Sequence, residues 1–253
     1  RTSSAYQNFL NNSLWSKSYV TVGIFYETLS SSIFWKIFDN TSIGIARYAD
    51  ILYIFIFKII LISLFYFISK ITKLDSYKQV IFLLINSFII INLNDYDTGN
   101  VDLISFREIP ILILTFLFLF VIINPRQFVI LFFISLLSPT SMIWGIDRGL
   151  VCNILILIIF IFLIISKRYK ESFFILFFLI FSWILTYLVL GEEFKYFLNN
   201  TLLIFKEMNY IHGIIHPTPF SDQPNSSRAT KTLLLILICI IISINSLFKK
   251  KYS

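Results

Sequence analysis

Long apolar runs separated by short polar breaks dominate the pattern of this chain. A helix of about 20 apolar residues crosses roughly 30 Å of hydrocarbon, and shorter helices fit inside a bundle. The runs lie near residues 50–69, 79–93, 109–123, 128–144, 149–166, 172–190 and 232–248. The pattern therefore predicts an all-α fold, a polytopic transmembrane helical bundle of about seven spans.

Two longer segments between or before these runs mix polar with apolar residues. Residues 1–48 contain SYVTVGIFYETLSSSIFWKIFDN, in which aromatic residues such as Trp15 and Trp35 recur at spacings typical of amphipathic interfacial helices. The long loop 191–231 begins with the amphipathic stretch EEFKYFLNNTLLIFKEMNYI and continues with the proline-containing stretch HGIIHPTPFSDQPNSS. We therefore expect an outer amphipathic region, 1–48, and a transmembrane bundle, 49–253.

The charges in the breaks predict an orientation. Alternate breaks hold ten of the 21 basic residues: Lys70, Lys73, Lys78, Arg126, Lys167, Arg168, Lys170, Lys249, Lys250 and Lys251. By the positive-inside rule these face the cytoplasm, which places the first loop outside and the C-terminus inside. An outer start implies a missing preceding span, so we expect the chain to be a fragment or a processed product.

Composition narrows the function classes. The chain is 57% hydrophobic and only 14% charged, so its formal charge of +7 orients helices and does not indicate nucleic-acid binding. Cys152 and Cys239 both fall inside predicted spans, which argues against a disulfide framework. The absence of a glycine-rich phosphate loop and of a GxSxG elbow disfavours an ATP-driven machine or a serine hydrolase.

An acidic break provides the first candidate site. Asp95 and Asp97, with Asp102 nearby, can act as a general base or chelate a divalent cation such as Mg or Mn. The same break ends in Arg107 and Glu108, where the next span begins. The alternative interpretation is a solvated loop followed by an ordinary helix start. The cofactor is otherwise unknown.

The adjacent pair Asp147 and Arg148 is the second candidate. A guanidinium binds phosphate in a bidentate manner, so Arg148 at a span end can meet the phosphate of a lipid-linked donor while Asp147 orients it. The alternative is a charged turn, with Pro139 ending one span and Gly149 easing entry into the next.

The late outer loop provides the third candidate. His212 and His216, the two histidines of the chain, can serve as general bases or as donors to a phosphate or sugar hydroxyl, and Arg228 can contact phosphate. A zinc-protease site is disfavoured because the acid between the two histidines is missing and Gly213 breaks the helix. Interfacial loop histidines and an ordinary interface anchor are the alternatives.

The stretch FWKIFDNTSIGIARYADILYIF, residues 34–55, resembles polytopic GT-C class glycosyltransferases where an outer amphipathic loop enters a span. Gly44, Ala46 and Arg47 bear the likeness, and the short spans and acidic outer loops resemble the class in architecture. The resemblance implies sugar transfer from polyprenyl-phosphate-type donors on the outer or lumenal face. It also implies a catalytic acid in the first outer loop, where Glu27 is the candidate.

Three functions remain open. The first is an integral membrane glycosyltransferase of the cell envelope that transfers a hexosyl or pentosyl group from a lipid-phosphate-linked donor to a saccharide or lipid acceptor. The second is an enzyme similar to O-antigen ligases or polymerases, which would depend on arginines and a histidine of the late loop. The third is a non-enzymatic transporter or flippase of lipid-linked saccharides, which would favour polar residues inside the spans; Lys58 is one such residue.

Overall fold

A computed structural model describes residues 2–11, 13–17, 20, 23–92, 108–123, 127–212, 218–222, 226–227, 229–238 and 241. Throughout these ranges the chain is helical or irregular, and none of them contains a strand. One π-helical turn, Phe25–Leu29, precedes α2. The α-helices are α1 Thr2–Asn11, α2 Ser30–Phe38, α3 Ile43–Ile71, α4 Ser76–Asn92, α5 Ile109–Ile123, α6 Phe128–Trp144, α7 Ile146–Ile165, α8 Tyr169–Leu190, α9 Glu193–His212 and α10 Ala229–Ile238.

Where the structure describes the predicted apolar runs, each coincides with a helix, so the all-helical prediction is confirmed for those residues. Three helices, α3, α7 and α8, are long and apolar enough to cross a membrane. The helices α4, α5, α6 and α10 are shorter. The structure therefore contains three candidate spans together with shorter apolar helices, which is a coarser result than the seven predicted crossings.

The two longer segments of mixed polarity also form helices, with some differences from the prediction. The stretch after Gly191 forms α9, as its amphipathic pattern predicted. Residues 13–17, which include Trp15, are not helical. The third helix begins at Ile43 rather than near residue 50, because the Ser42 hydroxyl accepts a hydrogen bond from the Ile45 amide and caps the helix there.

A tight corner joins α2 to α3. Asp39 adopts a left-handed conformation with φ 47° and ends α2. The Asn40 side chain then accepts a hydrogen bond from the Ser42 amide, and the Trp35 indole N–H donates to the Ser42 carbonyl at 2.9 Å. These local bonds turn the chain so that the opening helices pack beside the start of α3.

The helices α5 to α8 form the main core. Their shared faces bury Leu114, Val121, Leu131, Ile134, Cys152, Ile156, Ile159, Leu163 and Ile175. The outward face of α7 exposes Leu150, Ile154, Leu157 and Ile158, and α8 exposes a similar set. Helices that are apolar on both faces are typical of a bundle whose solvent is lipid.

The chain divides into two compact units, residues 1–203 and 204–253. Within the second unit, a short loop contacts the residues that precede and begin α10. The Ser226 hydroxyl accepts from the Ser221 amide at 3.0 Å, and the Thr230 hydroxyl accepts from the Phe220 amide at 2.9 Å. These bonds occupy backbone donors of the loop locally.

Candidate functional site

Three charged side chains meet where α5 and α7 begin. The Arg148 Nε lies 2.6 Å from Glu108 Oε1, and its Nη1 lies 3.5 Å from Asp147 Oδ2. All three side chains are 27–29% exposed, so the cluster is neither fully buried nor fully solvated. We refer to Glu108, Arg148 and Asp147 as the ionic cluster.

The positions of the three groups at helix ends explain why the net charge of the ionic cluster is negative. Asp147 and Arg148 lie in the first turn of α7, and Glu108 immediately precedes α5. The start of a helix is electropositive, so it stabilises the carboxylates and opposes the guanidinium. Arg148 therefore depends on the two carboxylates, and the three groups together have a net charge of −1.

The level of the cluster follows from the packing of Ile109, the residue after Glu108. Ile109 is buried against Tyr53 and Phe57 of α3, together with Phe25 and Trp144. Tyr53 lies 10 residues after Ile43 and 17 before Lys70. At 1.5 Å per residue, Tyr53 lies about 15 Å along α3 from its start and about 26 Å from Lys70. The cluster therefore lies near the level of Tyr53, the contact of Ile109 that is nearest the start of α3.

The opening segment packs beside the ionic cluster. Phe25 stacks on Trp144 with ring centroids 4.2 Å apart. At Gly23, a Cβ atom would lie 2.4 Å from the Gly145 Cα and from the Trp144 carbonyl oxygen. Only glycine permits this approach, so the sequence places a glycine at both contacting positions.

Gly145 and Gly149 shape the α6–α7 corner. Gly145 alone separates the two helices, with extended backbone angles. A Cβ on Gly149 would lie 2.5 Å from the Met142 Cα, so α6 and α7 touch backbone to backbone there. The charged-turn interpretation is therefore wrong in its details: Pro139 does not end α6, and Asp147 and Arg148 are helical.

A network of polar side chains lies on the bundle side of this corner. Asn153 receives a hydrogen bond from the Ser138 hydroxyl at 2.5 Å, and its amide donates to the Gly149 carbonyl at 2.8 Å. The Trp183 indole N–H donates to the Ser138 hydroxyl at 2.9 Å. Side chains of α6, α7 and α8 are therefore joined by hydrogen bonds in the half of the bundle nearest the ionic cluster.

Pro139 explains one further hydrogen bond of this polar network. Proline has no amide hydrogen, so the Ser135 carbonyl, four residues earlier, loses its usual partner within α6. The Ser182 hydroxyl of α8 donates to that carbonyl at 3.0 Å. A neighbouring helix thus satisfies the backbone group that the proline leaves unpaired, as apolar surroundings require.

The structure unites only part of the predicted site. Asp147 and Arg148 lie together with Glu108. Glu27 lies in the π-helical turn, and His212 is the last residue of α9. The remaining candidates, Asp95, Asp97, Arg107, His216 and Arg228, lie outside the described residues.

The metal prediction concerns Asp95 and Asp97, both outside the described ranges. Among the residues that the structure describes, no group of three or more His, Cys, Asp and Glu side chains is arranged to hold a metal ion. The ionic cluster offers two carboxylates, and both contact the Arg148 guanidinium.

Glu193 is a contact that sequence reasoning missed. Its carboxylate accepts hydrogen bonds from the Trp15 amide at 2.7 Å, from the Ser16 amide at 3.1 Å and from the Ser16 hydroxyl. Burial raises the pKa of Glu193, but these bonds outweigh burial and hold its pKa below the usual value of 4.5. No spacing signal relates Glu193 to a partner 177 residues away, so only the fold reveals the pair.

Comparison with protein-family models, curated proteins and solved structures gave no match to this chain. The fold and the ionic cluster define a class nevertheless: an all-helical protein whose apolar helices indicate a lipid bilayer environment, with a half-buried charged site at the ends of two helices.

Proposed function

We propose that the chain is the multi-pass membrane part of a glycosyltransferase that uses a lipid-phosphate-linked sugar donor. The observation that carries this proposal is the ionic cluster at the ends of apolar helices. The apolar stretch of α3 begins after Asp50, so the cluster near Tyr53 lies about 5 Å inside the hydrocarbon boundary. A long arginine side chain spans this distance and meets the phosphate of a lipid, which lies just outside the hydrocarbon. The neighbouring carboxylates provide the base that sugar transfer to a hydroxyl requires.

The roles within the cluster follow from its distances. Glu108 contacts Arg148 closely, so it orients the guanidinium and offsets its charge. Asp147 makes the longer contact and is the better candidate for accepting the proton of the acceptor hydroxyl. Arg148 then stabilises the negative charge that grows on the donor phosphate as the sugar leaves.

The charge pattern supports an orientation for this enzyme. At the end opposite the ionic cluster, Lys70 lies in the last turn of α3 and Lys78 in the first turn of α4. Lys167 and Arg168 lie at the same end, between α7 and α8. With these residues in the cytoplasm, the cluster and the opening region face the outer or lumenal side. Seven crossings, with the C-terminus inside, complete this arrangement.

A transporter of lipid-linked saccharides is the second candidate, and Lys58 favours it. Lys58 lies within α3 and donates to the Ile91 carbonyl near the end of α4 at 3.4 Å. Charged groups inside spans are costly and often mark transport pathways. The C-terminal carbonyls of a helix also attract a cation, so Lys58 has a structural role of its own.

Transfer of radiolabelled sugar from a lipid-phosphate-linked donor pool tests the proposal. The full chain in vesicles is compared with its Asp147→Asn and Arg148→Ala variants at equal membrane amounts. Asp75→Asn is the matched control, because Asp75 forms an exposed ion pair with Lys78 at the opposite helix ends. We expect both cluster variants to lose at least about 100-fold of the transfer rate, and the control to retain it.

Two results would overturn the assignment. If the cluster variants transfer sugar at the rate of the control, the ionic cluster has a structural role and not a catalytic one. A full chain that transfers no sugar but moves the intact lipid-linked saccharide between leaflets would replace the enzyme by the transporter.

A further inference from the structure

The corner between α2 and α3 exposes an apolar and aromatic surface. Ile37 and Phe38 end α2 and are 68% and 53% exposed, and Tyr48 of α3 is 57% exposed. The rings of Phe38 and Tyr48 lie 6.4 Å apart, edge to face, and Phe34 contacts both. We refer to Ile37, Phe38 and Tyr48 as the corner patch.

The length of α3 places this patch at a defined height. The apolar stretch between Asp50 and Lys70 is about 30 Å long at 1.5 Å per residue, which equals the hydrocarbon thickness. The residues from Ile43 to Ala49 therefore project about 10 Å beyond the hydrocarbon, into the layer of lipid headgroups. Tyr48 and the end of α2 lie in that layer.

The patch is continuous with the lipid-facing surface of α3. Tyr48, Leu52, Phe55 and Ile59 are spaced as one helical face, and all four side chains are exposed. Because the lower part of this stripe faces hydrocarbon, its upper end meets the boundary between acyl chains and headgroups. Aromatic residues are enriched at that boundary, since their rings tolerate both surroundings.

Basic side chains border the patch. Lys36 is exposed one residue before Ile37, and Arg47 is exposed one residue before Tyr48. Asp39 is the acidic residue of the corner itself, and it lies at the turn that ends α2. Apolar side chains with basic neighbours at headgroup height are complementary to anionic lipids.

We propose that the corner patch is a lipid-binding surface: Ile37, Phe38 and Tyr48 insert at the acyl boundary, and Lys36 and Arg47 bind anionic headgroups. This surface is separate from the ionic cluster and does not depend on the proposed sugar transfer. Lipid binding at this surface holds α2 parallel to the bilayer. It thereby sets the distance, along the membrane normal, between the opening region and the ionic cluster.

Depth measurements test the insertion. A spin label is attached at Phe38→Cys in a Cys152→Ala, Cys239→Ala background of the full chain in nanodiscs, with Ile37→Cys as a second site. Tyr77→Cys, at an exposed position on α4, is the control. We expect labels at residues 37 and 38 to collide with oxygen and to be protected from a water-soluble nickel complex.

Lipid retention tests the charge. Native mass spectrometry counts phosphatidylglycerol and phosphatidylcholine retained from mixed nanodiscs. We expect the Lys36→Gln, Arg47→Gln double variant to lose about threefold or more of its phosphatidylglycerol preference, and Lys195→Gln, at an exposed position of α9, to keep it.

Clear outcomes contradict the proposal. Labels at 37 and 38 that collide freely with the nickel complex would place the patch in water. Labels protected from both oxygen and nickel would show that protein, such as a second copy, covers it. An unchanged phosphatidylglycerol preference in the double variant would remove the headgroup assignment.

Discussion

The two halves of the α6–α7–α8 bundle are built from different chemistry. The half nearest Phe128 and Ile165 is held by apolar side chains, such as Leu131, Leu163 and Phe174. The half nearest Gly145 is held by Ser138, Asn153 and Trp183 and ends in the ionic cluster. In a bilayer, apolar side chains are solvated by lipid as well as by each other, so apolar contacts alone specify helix packing weakly. The hydrogen bonds of the half nearest Gly145 therefore specify its packing more strongly than the apolar contacts specify the packing of the other half.

The difference also separates stability from activity. Aliphatic residues of the first half can be exchanged at similar volume with small effects. Hydrogen-bonded groups and close backbone contacts of the second half fix the start of α7, and with it the position of Arg148. Substitutions in the second half are therefore expected to disturb the site, and those in the first half to affect stability alone.

Among the substitutions that test this comparison, Gly149→Ala is expected to have the largest effect on stability. The new Cβ would lie 2.5 Å from the Met142 Cα and 2.6 Å from its amide nitrogen, so the two helices must separate. We expect a loss of about 3 kcal/mol of stability, measured by thermal unfolding in detergent. Gly44→Ala is the control, because its nearest neighbour is the Ser42 hydroxyl at 3.8 Å; an equal loss in both variants would refute the close approach.

Arg148→Met should have the next largest effect. It leaves Glu108 and Asp147 without the cation that both contact, which should cost about 2 kcal/mol for partly exposed groups. The Glu108→Gln, Arg148→Met double variant should recover about half of this loss. Additive losses in the double variant would show that the ion pair does not couple the two helices.

Ser182→Ala should have a smaller effect. It removes the hydroxyl that satisfies the Ser135 carbonyl, and it should destabilise the protein by about 1 kcal/mol. Thr140→Ala is the control, since the Thr140 hydroxyl bonds only to the Leu136 carbonyl of its own helix at 2.8 Å. Combining Ser182→Ala with Pro139→Ala should remove most of the Ser182 effect, because the restored amide then serves the carbonyl.

The smallest expected effect is that of Glu193→Gln on the melting temperature, and it depends on pH. Because its folded pKa is lowered, its carboxylate contributes stability above the ordinary value of 4.5, and this contribution is lost as the pH falls through the folded pKa. The gap in melting temperature between the wild type and Glu193→Gln should be constant from about pH 7 to about pH 5 and close at lower pH. Glu192→Gln, at the exposed neighbouring position, should show no such gap.

Hydropathy predicted the helices well because each apolar run is long and its ends are charged. The start of α3 was missed because Ser42, a polar cap, allows the helix to begin before the apolar run. Pro139 was interpreted as a helix end, but Ser182 of another helix supplies the missing bond. Such tertiary compensation leaves no local signal in the sequence.

The site was predicted in part for a similar reason. The adjacent charges Asp147 and Arg148 were visible because they interrupt the apolar sequence between two predicted spans. Their contact with Glu108, 40 residues earlier, depends on the packing of α5 against α7. The charged-turn alternative assigned to Gly149 only an easier entry into α7, and the structure shows that Gly149 permits close packing of α7 on α6.

The most direct test of the central claim is sugar transfer by Arg148→Lys. Lysine keeps the positive charge between Glu108 and Asp147 but cannot bind phosphate with a planar fork. If the cluster is the donor site, transfer should fall by about tenfold or more while the melting temperature stays near that of the wild type. Full transfer by this variant would contradict the account and leave the cluster as a charged contact between two helices.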